Sequence, residues 1–413
     1  MWRVTDGVAH RAPHLYQSLR AFCLAAFAAE RGAELPFAFE EHATGGGPSL
    51  YEYRPLVRGF VEEQGPTLRR LPDARNAIDD LRREPAAAMF ANAHSGAMHA
   101  SGAQDDALFR TILLPMLVAV AERCGGFDWS DDAFAAAYAD IERSLFGTAR
   151  SYVAVTPLVG LSAGGRVELG GDIRVRPVVS GEVSSLWPEA SGLMPPQFGR
   201  DVDRLLVLEL ARELDAGDAE PPDAAGELAD AVTALRLATA GAIAAGPVVF
   251  ERLDFRPLRI SPLLPIAATQ PRGEATRLDS LRARLAADLR ERLPLADDDR
   301  GLSEALDRWE LSLFADDPFR SGQVRDALTA LFGGADGTWA ASMRAAVLLG
   351  EQSKDRAELL EALRAEHANR VVRDALRRVL VETLLYGNRA ELIRTLDETL
   401  LGLRPRPATA LAA

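Results

Sequence analysis

Apolar residues recur at helical spacing near the start of this chain, change to strand-like alternation in the middle, and return to helical spacing towards the end. Leu15, Leu19, Phe22, Ala26 and Ala29 predict a helix over residues 14–30. From Pro36 to Pro66 aromatics and glycines replace that period, which predicts loop with short strands. Leu108 to Ala121 is a strongly apolar helix through Phe109, Ile112, Leu113, Met116, Leu117 and Val120, and Pro115 should kink or split it. Gly125 and Gly126 end it. Ser130 then caps a helix that runs through Phe134, Tyr138, Ile141 and Leu145 to Gly147.

In the middle third Tyr152, Val153 and Val155 begin a strand. Val167, Leu169, Ile173 and Val175 alternate with Glu168 and Arg174 around Gly170-Gly171, which is a hairpin pattern. Leu205 to Leu210 and Val248 to Phe255 are further strands, with a helix from Leu228 to Ala245 between them. Pro257 to Gly273 is proline-rich and has no helical period, so it should cover the surface between the middle and the end. A helix follows over Leu278 to Leu293. The last part reads as helices over Leu302–Phe314, Val324–Phe332 and Trp339–Leu349, a long one from Asp355 to about Leu385, and Arg389–Leu401. The pattern predicts an α+β protein, with a helical N-terminal region over 1–149, a mixed α/β middle over 150–299 and a bundle of four or five helices over 300–413.

Length agrees with this division, since 413 residues exceed one ordinary core. A composition 48% hydrophobic and 26% charged can bury a sizeable core. The net charge of −13 argues against broad, non-specific nucleic-acid binding but allows a local basic patch. Cys23 and Cys124 form no Cys-x-x-Cys pair, so they read as buried free thiols in a reducing cytoplasm. No apolar run reaches the roughly 18 residues a membrane span requires. The alanine-rich stretch Ala21 to Ala29 lacks a basic cluster before it and reads as a core helix, not a secretion signal.

Candidate chemistry is sparse. Gly45-Gly46-Gly47-Pro48 has no Lys-Ser or Lys-Thr after it and is a turn. His94 and His99 are five residues apart, which is not the spacing of a helical metal pair, and they read as loop. Asp297-Asp298-Asp299 reads as an acidic linker, and Ser162 and Ser180 lie near glycines without a base. No metal site and no cofactor is expected. One local feature stands out. Arg364, Arg370, Arg373, Arg377 and Arg378 fall on the long predicted helix, against only Glu366 and Asp374. Arg370, Arg373 and Arg377 share a face of it. They form either a phosphate-contacting ridge or a solvated face paired with Glu358, Glu361 or acids nearby.

Leu306-Asp307-Arg308-Trp309 with Phe314, Ala327 to Phe332, and Arg344-Ala345-Ala346-Val347-Leu348-Leu349-Gly350 resemble the helices of Apea-like HEPN proteins. Tyr152 to Leu161, Val167-Glu168-Leu169 and Glu182 resemble the region often joined to such bundles. The family comprises prokaryotic RNA-cleaving and defence-associated proteins. Its catalytic signature is an Arg, four to six residues, then a His, where the histidine moves protons and the arginine stabilises the phosphorane. In one alignment the segment between Gly350 and Val371 is too short and the signature is absent. In the other, Tyr386 stands for His and Val381 for Arg. His367 has no Arg at the required spacing, while Arg3 and His10 have it by chance. The resemblance therefore implies a catalytically degenerate protein that binds RNA or a protein partner, in a prokaryotic defence setting. The weak catalytic alternative uses Tyr386 with Arg378 or Arg377, and a plain scaffold is the third reading. A homodimer through the bundle is also implied, with Trp309, Phe314, Phe319, Phe332 and Trp339 as its apolar surface.

Overall fold

In the computed structural model, residues 10–42, 50–95, 103–147, 149–178, 182–187, 189–199, 205–215, 222–254, 256–365 and 367–409 are described. Arg3, Gly45 to Pro48, His99, Ser180 and Glu366 lie outside them. The protein is α+β, with helices at both ends and a β-sheet between.

The first part comprises α1 (Pro13–Ala29), an antiparallel pair β1 (Phe37–His42) and β2 (Leu50–Pro55), then α2 (Val57–Leu68), α3 (Pro72–Arg83), α4 (Pro85–Ser95), α5 (Ala103–Leu108), α6 (Leu114–Cys124) and α7 (Asp131–Phe146). Pro115 splits the apolar helix as expected. A π-helical turn over Phe109–Leu113 precedes it, and α6 restarts with the proline in its first turn, where no N–H is required. Gly125 closes α6 with a φ of 70°, and the Ser130 hydroxyl accepts from the Ala133 N–H to start α7. These helices bury a core of their own around Leu19, Phe22, Phe109, Phe134 and Tyr138.

The middle contains β3 (Ala149–Val159), β4 (Leu161–Ala163), β5 (Val167–Glu168), β6 (Ile173–Pro177), α8 (Glu182–Leu186), α9 (Ala190–Leu193), β7 (Leu206–Asp215), α10 (Ala224–Thr239), β8 (Ala244–Ala245), β9 (Val248–Leu253), β10 (Arg256–Pro262), α11 (Pro265–Ala268), β11 (Thr276–Leu278) and α12 (Ser280–Arg292). The main sheet is antiparallel in the order β10-β9-β3-β7-β6-β5, with β8 beside β3. Alternation decides its two faces. Tyr152, Ala154 and Leu158 of β3 look towards α10 and α12, while Val153 and Val155 meet Trp187 and Phe198. Two expectations for this middle region need correction. The proline-rich segment after Pro257 begins with a strand, β10, which sits at the sheet edge where a missing N–H costs no ladder bond. The helix expected to reach Ala245 stops at Thr239, where Ala240 turns left-handed at φ 56°, and Ala244–Ala245 joins β3.

The last part comprises α13 (Leu295–Asp298), α14 (Arg300–Phe314), α15 (Phe319–Phe332), α16 (Gly337–Leu349), α17 (Ser353–Arg364), α18 (Arg370–Tyr386) and α19 (Arg389–Leu400). The single long helix expected from Asp355 is two. Ala365 leaves helical geometry with ψ 149°, and Asn369 caps a new start by accepting from the Val372 N–H. Asp299 is a cap rather than free linker. Its carboxylate accepts from the Gly301 and Leu302 N–H groups and from Arg389 at 2.8 Å. One buried cluster runs from the sheet through α10 and α12 into α14 to α19. Helix α18 lies at its centre, packed on α10, α12, α14, α15 and α16.

Candidate phosphate-binding cleft

The start of α18 and two loops of the middle region enclose a cleft of about 800 Å³. One wall is made of Ala240–Ala242 and Pro271–Thr276, the other of α18 from Arg370 to Arg378, and Trp309 with Leu313 of α14 forms the floor. Sequence chemistry fixes the loop wall. Gly160 has a φ of 78°, and a Cβ there would overlap the Ala242 carbonyl oxygen. The Gln270 amide reaches that same carbonyl at 3.1 Å. Arg236 is wholly buried beneath. Its guanidinium donates to the carbonyls of Ile243 at 2.9 Å, Ile266 at 3.0 Å and Thr269 at 2.9 Å, lies 3.6 Å from Glu310 and covers the Phe314 ring. Burial pulls its pKa below the ordinary arginine value, and Glu310 opposes that.

The arginines of the facing wall are held differently. Arg377 is mostly buried and paired with Asp374 at 2.8 Å, and it donates to the Leu237 carbonyl at 2.5 Å. It is tied neither to Glu358, which pairs with Lys354, nor to any group of Glu361. Arg370 and Arg373 are exposed and Arg378 is half-buried, and their guanidinium groups meet no acceptor among the described residues. Partial desolvation and the charge of Arg320, then that of Arg370, lower the Arg373 pKa from its ordinary value, and Asp317 opposes them. Arg320 itself has a buried Nε without a partner among the described residues. Arg364 leaves the stripe, because it belongs to α17 and covers the Trp339 ring at 4.7 Å. Arg370 thus occupies the first position of a helix with no acidic residue in its first turn. Positive charge there opposes the helix dipole, and the first N–H groups lack intrahelical acceptors.

Tyr386 does not line this cleft. It lies two turns beyond Arg378, and its hydroxyl is 3.4 Å from that of Thr395. Tyr386 and Arg378 are therefore not brought to one point. His367 is exposed and His10 stacks on Tyr16, while His94 is in α4. The Ser162 hydroxyl donates to the Thr276 carbonyl. Among the described residues no three His, Cys, Asp or Glu side chains group to hold a metal ion, and no helix is long and apolar enough to cross a membrane. Cys23 is buried and Cys124 only partly so, and burial pushes both thiols up. Of the aromatics expected to form a joint surface, Trp309 and Phe332 are buried, whereas Phe319 and Trp339 are 76% and 53% exposed. Arg344, in the stretch that carries the family resemblance, is structural. It joins Asp397 at 2.7 Å, Asp336 at 3.0 Å and the Phe332 carbonyl at 2.6 Å.

Sequence reasoning found the α18 arginines through their crowding on one face. It missed Arg236 and the loop wall, because nothing in local spacing reveals a buried arginine that gathers carbonyls from a loop thirty residues away. Compared with known protein families, curated proteins and solved structures, the chain matches none.

Proposed function

We propose that this protein binds single-stranded RNA through the arginine face of α18 and does not cleave it. The observation that carries the reading is the set of Arg370, Arg373 and Arg378, which border one cleft without acceptors among the described residues. Phosphate oxygens are the acceptors that guanidinium forks suit best. Binding without cleavage follows from the missing Arg–His signature and from the separation of Tyr386 from the arginines. General acid–base catalysis typically contributes about 10²- to 10⁴-fold, and no histidine is among the described residues that line this cleft. The HEPN kinship and a place in prokaryotic defence rest on the sequence resemblance alone.

Fluorescence anisotropy with labelled single-stranded RNA tests this reading, with EDTA present and the strand checked for intactness afterwards. Affinity should fall as salt rises. Arg370→Glu with Arg373→Glu should weaken binding and flatten the log–log salt slope by about 0.7 for each phosphate no longer neutralised. Unchanged binding by the double variant, or metal-independent cleavage abolished by Tyr386→Phe, would overturn it. The same reading includes a homodimer through the bundle, supported by exposed Phe319 and Trp339. Light scattering at micromolar concentration should return twice the 44.6 kDa of one chain, and the single-chain mass would count against pairing.

A further inference from the structure

The cleft gathers more positive charge than it answers. Six arginines and two carboxylates line it. Arg236 is bound to carbonyls and faces Glu310, Arg272 pairs with Asp316, and Arg377 pairs with Asp374. Glu274 is exposed on the loop wall. Arg370, Arg373 and Arg378 make no hydrogen bond or ion pair among the described residues, with Asp317 the one carboxylate whose charge reaches Arg373, and they stand beside a helix start that adds positive potential of its own. Arg320 lies close enough to Arg373 to repel it.

We infer that the cleft is built for a phosphomonoester dianion carried on a body of about one nucleotide's size. The inference deepens the RNA-binding reading and rests on it in taking these arginines as phosphate contacts. Charge selects the monoester. A diester linkage carries one negative charge, whereas a monoester carries about −1.5 to −2 at neutral pH and offers three acceptor oxygens. Spacing agrees. Arg370 and Arg373 are about 4.5 Å apart along the helix axis, close enough to hold one phosphate group between them beside the first two N–H groups of the helix, which the Asn369 cap does not take. Size agrees as well, since about 800 Å³ falls within the range of small-molecule pockets. Trp309, Leu313, Leu349 and Leu359 line the rest of it and offer an apolar seat for the body of the ligand. The loop wall opposite is held by Arg236 and Gln270, so the recess exists without the ligand.

A free small phosphate ester and the 5′-phosphorylated end of a strand share this chemistry. The test uses the full chain and four ligands in calorimetric titration: uridine 5′-monophosphate, uridine, a short oligouridylate with a 5′-phosphate, and the same strand with a 5′-hydroxyl. The monophosphate should bind at least about tenfold tighter than uridine, as charge-assisted contacts allow. A matching preference for the phosphorylated strand assigns strand ends as ligands, and its absence assigns the free ester. Arg370→Gln with Arg373→Gln should erase the preference while circular dichroism shows the helices kept. Equal binding of both strands, with no gain of the monophosphate over uridine, overturns the inference and leaves the RNA reading standing. Binding of the monophosphate but of neither strand overturns the RNA reading instead. Failure of all four ligands to bind removes both.

Discussion

Beneath the loop wall and at the start of α18, the cleft treats arginine in opposite ways. On the loop wall, Arg236 is desolvated and its guanidinium is answered by carbonyls, by Glu310 and by the Phe314 ring. On the α18 wall, Arg370 and Arg373 stand in water beside a helix start and other arginines, with no acceptor among the described residues. The buried charge is there to hold shape, because removing such a group leaves its partners stranded. The exposed charges contribute nothing of that kind and are mildly unfavourable where they are. The same residue type thus serves stability on one side of an 800 Å³ recess and is free to serve binding on the other. The sheet follows the rule of the loop wall. Buried Glu209 accepts from Arg176 at 2.6 Å, and buried Glu251 accepts from Tyr152 at 2.6 Å and Arg259 at 2.8 Å.

The sharpest test of the contrast is Arg236→Met. The methionine fills much of the volume but leaves several carbonyls without their donor and Glu310, which keeps only the Thr233 hydroxyl, without its neighbouring cation. The expected loss is about 3–5 kcal/mol, or roughly 10 °C in Tm, by analogy with other broken buried pairs. Thermal unfolding followed by circular dichroism measures it. A loss under about 1 kcal/mol would mean that water replaces the guanidinium, and that Arg236 does not hold the loop wall.

How much of this contrast was legible in the sequence differs by wall. The helices and most strands follow from periodicity, because a buried face forces a period wherever the element is long enough, as in α1, α14 and β3. Arg370, Arg373, Arg377 and Arg378 were legible as a stripe. Their placement at a helix start was not, since the break at Asn369 depends on a cap that competes with good helix formers on both sides. Strand β10 was hidden because proline is a loop signal in sequence and an edge signal in a sheet. The loop wall was hidden because its bonds join residues far apart in the chain, such as Gln270 to Ala242 and Arg236 to Thr269.

Helix α10, which carries Arg236, also carries a carboxylate set mostly among other acids. Asp230, on the same helix as Arg236, has its carboxyl partly shielded and faces the charges of Asp297, Glu310 and Glu227, which together push it up to about 6. In the unfolded chain such a group titrates near about 3.9. The folded state therefore binds the proton more tightly, so ionised Asp230 destabilises the protein above about pH 6 and the penalty fades as pH falls from about 6 towards about 4. Asp230→Asn should then be more stable than the parent at about pH 7, by about 1 kcal/mol after allowing for solvent screening of an exposed residue. The difference should close near about pH 4. Denaturant midpoints across that range check it, and a gain that persisted at the acid end would show that side-chain shape, not charge, is responsible.

The smallest expected effect is the most telling, because its sign is opposite to that of Arg236. Arg373→Gln removes a positive charge from the first turns of α18, where it faces Arg320 and Arg370 with Asp317 in opposition. Glutamine keeps a long helix-forming side chain, so the change is mainly electrostatic. The lowered pKa of Arg373 says that the folded state already resists the charged form, although at neutral pH the guanidinium stays charged. Removing the charge should stabilise the ligand-free protein by about 0.5 kcal/mol, or roughly 1–2 °C in Tm, within the range of helix-dipole and like-charge effects. Because Arg370 and Arg373 are solvent-exposed, added sodium chloride should shrink the gain. Inorganic phosphate should reverse the order, raising the Tm of the parent more than that of the variant. If Arg373→Gln instead destabilised the protein, and phosphate moved both by the same amount, the arginine would have a partner within the fold. The α18 wall would then follow the same rule as the loop wall.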